Sequence, residues 1–306
     1  MQPDAGYPAA APPSGSGRGS LVAALVMAGA TLPLVRLGSG HTPAGQRFAS
    51  RPEFVVWTWA LAATVAAAAV TASVNWPNFR LLVRLTGRRA TFGAIAVWAG
   101  VGILTWFGPT PLSSVGRPHL WLLGLRLTVA TLVVGVFVTP AFAGLLLAQV
   151  RVSALGREDG VSAGRVISEL LWLRKVLQRF LMTFAVVITG AVLAAGALRN
   201  ALLADQAAGE KLPVVGILAY GGLFTLISAA AFVPAYLSWQ DRVGVLRDLL
   251  YPIPDDGLPP HDWYEARADY DTLLTARSNA GAVLAAAFGV LAPLAGSLLT
   301  TLIPSP

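Results

Sequence analysis

Side chains that could act as nucleophiles, bases or metal ligands are few in this chain, and they lie in its polar segments. The three histidines, His41, His119 and His261, are far apart in sequence, so they predict no metal site by themselves. Ser113 and Ser114 precede His119, but no Gly-x-Ser-x-Gly turn or carboxylate partner accompanies them. The absence of cysteine excludes thiolate metal sites and cysteine nucleophiles. We therefore predict no cofactor and no catalytic residues, and an enzyme acting on lipid through His41, Ser113 and His119 is only a third hypothesis.

Acidic residues are concentrated in one late polar segment. Six of them fall within 17 residues: Asp255, Asp256, Asp262, Glu265, Asp269 and Asp271. Their spacing is not that of an EF-hand, so a calcium site is not predicted. The cluster is typical of a solvated helix face; if it has a partner, Arg174, Lys175 and Arg179 are better candidates than a metal ion.

The elements that would position these side chains are dominated by apolar sequence. The chain of 306 residues is 55% hydrophobic and only 12% charged, and its mean hydropathy is +0.65. All charged residues lie outside seven apolar stretches, which are Ser20–Val35, Phe54–Val74, Ala90–Phe107, Leu127–Gln149, Phe180–Leu198, Pro213–Trp239 and Ser278–Ile303. This partition predicts an all-α, polytopic transmembrane helical bundle with seven spans. Six spans result if the first stretch, which is short and contains Pro33, does not cross the bilayer.

The distribution of basic residues predicts the orientation. With the N-terminus inside, the connections on the cytoplasmic side hold 15 Lys and Arg residues and those outside hold six. Basic residues are retained on the cytoplasmic side, so the N-terminus is predicted there and the C-terminus outside. The predicted location is the cell inner membrane of a bacterium. The net charge of +7 is explained by anionic lipid headgroups, and no nucleic acid partner is predicted.

Two cytoplasmic connections have helical rather than loop patterns. The predicted organisation is a disordered tail (1–19), spans 1–4 (20–150), an amphipathic helix (151–179), spans 5 and 6 (180–239), a helical connection (240–277) and span 7 (278–306). Val166, Leu170, Leu173 and Leu177 recur every three or four residues, a spacing typical of a helix that packs against a partner helix. This seam is a candidate for association with a second copy or with another protein.

Prolines and small residues within the predicted spans, and one charge at the edge of a span, are the candidate functional positions. Pro140 and Pro234 stand in similar four-residue contexts of spans 4 and 6, where each removes a backbone hydrogen bond and would kink the helix or gate a path. Arg126 is a membrane-embedded charge that would reach the outer headgroups. A further motif, a row of small residues formed by Gly281, Ala285 and Gly289, predicts close helix packing.

Two functions of different classes agree with these patterns. The first is a non-enzymatic membrane component that acts as a scaffold, binds a partner or forms a pore. The second is a secondary transporter whose path is lined by the proline-containing spans 4 and 6. The spans contain no Asp, Glu, His or Lys, which counts against proton-coupled transport.

Overall fold

The computed structural model describes residues 22, 24–33, 43–107, 121–155, 162–205, 215–253, 257–275 and 289–299, and within these ranges the secondary structure is helical. In chain order the helices are α1 (Ala24–Pro33), α2 (Pro43–Ala49), α3 (Pro52–Thr86), α4 (Arg88–Phe107), α5 (Trp121–Ala154), α6 (Ala163–Asp205), α7 (Val215–Leu250), α8 (His261–Thr275) and α9 (Gly289–Leu299). The predicted all-α class is confirmed.

Among the described residues, four helices are long and apolar enough to cross a bilayer: α3, α5, α6 and α7. The described parts of α1 and α9 are apolar but shorter than a span. A bundle of apolar helices compatible with a membrane is therefore confirmed, whereas the number of seven spans stays a prediction.

The long helices extend well beyond the thickness of a bilayer. Helix α6 has 43 residues, which corresponds to about 65 Å at the α-helical rise, whereas the hydrocarbon core is about 30 Å thick. It begins at Ala163, within the predicted amphipathic segment (151–179), and continues into the fifth apolar stretch without a break. Residues 151–154 of that segment belong to α5 instead. Helix α7 likewise continues past Trp239 to Leu250. The bundle thus has a helical extension on one side of its apolar zone.

Contacts along α6 give the relative directions of the helices. Residue numbers rise on α3 as they fall on α6, from Arg51 donating to the Ala204 carbonyl to Asn75 donating to Thr183. Helices α5 and α6 are antiparallel too. Helix α9 runs parallel to α6, because Gly289 packs on Leu181 and Gly296 on Thr189.

The arginine-rich ends of the helices consequently lie together. We define the arginine-rich end by the basic residues at the C-termini of α3, α5 and α7 and in the N-terminal parts of α4 and α6, namely Arg80, Arg84, Arg88, Arg89, Arg151, Arg174, Lys175, Arg179, Arg242 and Arg247. Helices α3 and α4 are joined there by Gly87 alone, whose φ of 84° favours glycine.

Candidate functional site

A buried ion pair joins α5 and α6 at the arginine-rich end. Arg151 donates from Nε to Glu169 Oε1 at 2.5 Å and from Nη2 to Oε2 at 3.0 Å. Both residues are almost fully buried, with exposed fractions of 5% and 2%. A bidentate arginine–carboxylate pair satisfies both charges and fixes the rotation of the two helices. The pair is a structural fastening and contains no free acid or base.

A second buried arginine links α6 to α7 and α8. Arg174 donates from Nη1 to the Leu274 carbonyl at 2.7 Å, near the C-terminus of α8, where a positive charge is favourable. Its guanidinium also lies over the Trp239 ring, 5.5 Å from the centroid. Trp239 in turn donates its indole N–H to the Leu170 carbonyl at 2.8 Å. Three helices are therefore connected through one cation and one indole.

An exposed network joins the end of α7 to α8. Asp248 accepts from Arg267 at 2.6 Å and from Arg247 at 3.1 Å, and Arg247 also reaches Asp271 at 3.4 Å. The hydrogen bond from Arg247, together with the charges of both arginines, lowers the pKa of Asp248. Nearby, burial raises the pKa of Tyr270 to about 12. These contacts hold α8 against the arginine-rich end.

Above these polar contacts, a layer of aromatic rings fills the bundle. Trp98 of α4 lies 4.7 Å from Phe142 of α5 and 6.0 Å from Phe184 of α6, measured between ring centroids. Phe142 and Phe184 are buried. The Asn75 amide bridges α3 and α6 nearby by donating to Thr183 Oγ1 at 2.6 Å. We call Trp98, Phe142 and Phe184 the aromatic floor, because their rings pack together across α4, α5 and α6.

On the other side of the aromatic floor lies an apolar cavity of about 600 Å³. Five helices, α3 to α7, line it with mostly aliphatic and aromatic side chains, among them Trp57, Trp98, Ala191, Leu198 and Tyr220. None of the described lining residues is charged. The polar side-chain groups are the hydroxyls of Thr64, Thr131, Thr139 and Tyr220 and the indoles of Trp57 and Trp98. The Trp98 N–H donates to the Gly135 carbonyl at 3.2 Å. The volume is that of an ordinary ligand pocket.

The cavity is not enclosed on all sides. Three of its lining residues, Ile103 of α4 and Leu132 and Val136 of α5, are 61%, 60% and 69% exposed, which indicates that it opens sideways at these two helices. These side chains lie in the apolar zone of the helices, where the surroundings of a membrane protein are lipid tails. An apolar molecule is the chemistry that this lining accommodates.

The two prolines for which a kinking or gating role is predicted differ in their surroundings. Pro140 is buried in α5 and directly follows Thr139, which lines the cavity, whereas Pro234 is exposed on α7 and does not line it. Both helices are assigned as continuous through the proline. Pro77 is a third proline inside a long helix, α3, and it lies beyond the predicted apolar stretch Phe54–Val74. A kinking or gating role for Pro140 and Pro234 stays a prediction.

The predicted association seam lies inside the chain. Val166, Leu170, Leu173 and Leu177 are all buried and belong to the main hydrophobic core, with α5 and α7 as neighbours of α6. The expected partner helices are thus supplied by the same chain, and these four side chains leave little surface for a second one. Association with another copy or protein through other residues stays a prediction.

Several other candidate positions fall partly or wholly outside the described residues. Gly289 packs against Leu181 of α6, as a small residue at a close helix contact does, but Gly281 and Ala285 lie outside the described ranges. Arg126 belongs to α5, and its side chain is likewise outside them. The same is true of His41, Ser113, Ser114 and His119. No group of metal-ligating residues occurs in the part of the chain that is described.

The acidic segment has arginine partners other than those proposed from the sequence. Asp271 pairs with Arg247 of α7, whereas Arg174 contacts α8 through a backbone carbonyl. His261 and Glu265 lie 3.6 Å apart on the exposed face of α8. Among the described acids of this segment, Asp271 therefore forms part of the α7–α8 contact.

Sequence reasoning missed the Arg151–Glu169 pair and the cavity. One signal was present: Glu169 is the only acid between Val161 and Phe180 and stands next to a seam position, Leu170. An acid within an apolar seam needs a cationic partner, and Arg151 at the end of the preceding apolar stretch is close in sequence. No comparable signal marks the cavity, because its lining is as apolar as the rest of the spans.

Comparison with protein-family models, with curated proteins and with solved structures finds no match to this chain.

Proposed function

We propose that this chain is a multi-pass integral membrane protein that acts as a non-enzymatic binding component and holds an apolar molecule within the bundle. The observation that carries this proposal is the one-sided cavity, which is apolar, opens sideways and ends at the aromatic floor. A continuous pore is disfavoured by that floor within the described residues. Seven spans, or six, with the N-terminus in the cytoplasm of a bacterial cell are part of the proposal.

The absence of cysteine permits a direct test of the topology. Ser50, at the end of the bundle nearest the cavity, and Ser168, at the arginine-rich end, are both exposed serines. In intact cells, a membrane-impermeant maleimide should label Ser50→Cys, whereas Ser168→Cys should react only after the membrane is permeabilised. The reverse pattern would contradict the proposed orientation, and labelling of both in intact cells would contradict membrane insertion.

A leakage assay separates a binding component from a pore. Liposomes that contain the purified chain and trapped carboxyfluorescein should retain the dye as well as empty liposomes do. The Trp98→Ala/Phe142→Ala/Phe184→Ala variant, which removes the aromatic floor, is the control for a bundle whose interior has been opened. Dye loss from liposomes with the unmodified chain would replace the binding proposal with a pore.

A secondary transporter is the second candidate, favoured by the fact that α5 and α7, which contain Pro140 and Pro234, line the cavity, as does the Pro77-containing α3. Aromatic and apolar linings of this kind accommodate hydrophobic cations, so ethidium with an imposed proton gradient is the first probe. Transport should fall when Pro140 becomes Ala and persist when the exposed Pro77 becomes Ala. The uncharged lining weighs against coupling to ions.

A further inference from the structure

We propose that the cavity binds one acyl chain of a membrane phospholipid, which inserts from the bilayer between α4 and α5. This inference rests on the proposed function, since it names the class of molecule that occupies the same cavity. Four observations on the described residues carry it: the position of the opening, the length of the cavity along the helices, the composition of its lining, and the basic residues at the end of the cavity that is farther from the aromatic floor.

The opening faces the place where lipid chains are. Ile103, Leu132 and Val136 line the cavity and are at the same time exposed by 60% or more on the apolar surface of the bundle. A molecule that enters there comes from the bilayer and not from water. An alkyl chain that moves from the bilayer into such a site exchanges one apolar environment for another, so its passage meets no desolvation cost for polar groups.

The height of the cavity matches one leaflet. Its lining on α6 runs from Ile188 to Leu198, ten residues apart, which is about 15 Å along the helix. Half of a hydrocarbon core about 30 Å thick is the same length. One acyl chain that lies along the helix axes is therefore long enough to reach from the level of Leu198 to the aromatic floor.

Basic residues occur where a phospholipid's phosphate would lie. Arg199 directly follows Leu198 of the lining, and Arg51 precedes α3 six residues before Trp57. Arg51 also connects α3 to the end of α6 through the Ala204 carbonyl. Guanidinium groups are favourable neighbours of phosphate. A chain within the cavity thus leaves its headgroup at the level of these arginines, in the leaflet opposite the arginine-rich end.

Two alanines of α6 provide a variant that fills the cavity. Ala191 and Ala195 line it one helical turn apart, so the double variant Ala191→Phe/Ala195→Phe places two rings in the space of the acyl chain. Ala63→Phe is the matched control, because Ala63 is an exposed alanine next to the lining residue Thr64 and faces away from the cavity.

The test is native mass spectrometry of the full chain, purified in a mild nonionic detergent from vesicles of phosphatidylglycerol and phosphatidylethanolamine. We expect one phospholipid-mass adduct that survives extensive detergent washing in the unmodified chain and in Ala63→Phe, and that decreases at least tenfold in the double variant. A phospholipid that contains a diazirine in its acyl chain should cross-link to lining residues of α4, α5 or α6 in the unmodified chain, which keeps the proposal testable if the double variant does not fold.

Each other outcome overturns the proposal. An adduct of equal intensity in the filled variant, or cross-links restricted to the outer faces of the helices, would place the lipid on the surface. A fatty-acid mass in place of a phospholipid mass would assign the cavity to a free fatty acid. No adduct and no cross-link in the unmodified chain would exclude lipid. The cysteine-labelling and leakage results do not depend on these outcomes, so failure of this inference is distinguishable from failure of the proposed function.

Discussion

At the arginine-rich end, buried charged and polar side chains add directional contacts to the apolar packing, whereas at the opposite end the cavity is lined mainly by apolar side chains that pack without direction. Arg151, Glu169, Arg174 and Trp239 fasten α5, α6, α7 and α8 to one another through hydrogen bonds. Around the cavity, five helices meet with a void between them. Directional contacts specify one arrangement of helices, whereas apolar contacts tolerate several.

The two ends of the bundle therefore have different roles. The hydrogen bonds at the arginine-rich end, which we call the fastened end, keep the helices in register, so that the end with the cavity retains an open space that packing alone would tend to close. The aromatic floor is the boundary between the two. Substitutions at the arginine-rich end should therefore affect the stability of the whole bundle, and substitutions around the cavity should affect what the cavity binds.

The largest effect is expected from breaking the buried ion pair. In Glu169→Ala, Arg151 is left as a buried charge without its carboxylate, which typically costs about 3–5 kcal/mol. We expect a large decrease of the thermal unfolding temperature in detergent, followed by circular dichroism. The paired variant Arg151→Met/Glu169→Leu removes both charges and should recover most of the loss. Equal instability of the single and double variants would show that shape rather than charge is what matters at this contact.

The next effect concerns the close approach of α5 and α6. A methyl group at Gly144 would overlap the ring of Phe180, which is fully buried and has no room to move. Gly144→Ala should therefore destabilise the bundle by about 1–3 kcal/mol. Gly100→Ala is the control, because nothing lies near that glycine on α4 and the change improves helix propensity. A neutral Gly144→Ala variant would mean that the two helices separate easily.

Two tryptophans compare the two regions directly. Trp239→Phe removes the donor to the Leu170 carbonyl and weakens the ring contact with Arg174, so it should cost about 1–2 kcal/mol. Trp98→Phe should cost less than about 1 kcal/mol, because the Gly135 carbonyl also accepts from Thr139 Oγ1 at 2.9 Å. Unfolding temperatures of the two variants, measured in the same detergent, give the comparison. A larger loss at Trp98 would reverse the assignment of the fastened end.

Much of the architecture was predictable from the sequence because apolar stretches and helical periodicity are local properties. The stretches Phe54–Val74 and Phe180–Leu198 lie within α3 and α6, and the amphipathic pattern that begins near Val166 continues into a span as expected. The clustering of arginines at one set of helix ends followed from the same pattern.

The remaining features depend on which helices are neighbours, and the sequence does not contain that information locally. The seam of Leu170 and Leu177 predicted a partner helix correctly in kind, but nothing in its spacing distinguishes a helix of the same chain from one of another. The cavity arises where Ala191 and Ala195 leave space that no facing side chain fills, a property of five helices together. Pairing of Arg151 with Glu169 likewise requires the α5–α6 register.

The smallest expected effect is the pH dependence of the α7–α8 contact. The pKa of Asp248 is lowered in the folded chain, first by its hydrogen bond from Arg247, so its ionised form is favoured by folding. The stabilisation is therefore present above the pKa of the unfolded chain, for which the ordinary value is 3.8, and is lost as the pH falls through the lower folded value. Asp248→Asn should lower the unfolding temperature slightly at pH 7, and the difference from the unmodified chain should shrink as the pH falls below the ordinary value of 3.8. Because Asp248 is exposed and its arginine partners are only partly buried, high salt should reduce the difference as well. A difference that persisted at low pH would mean that Asp248 contributes by shape, and the arginine-rich end would then be fastened by its buried contacts alone.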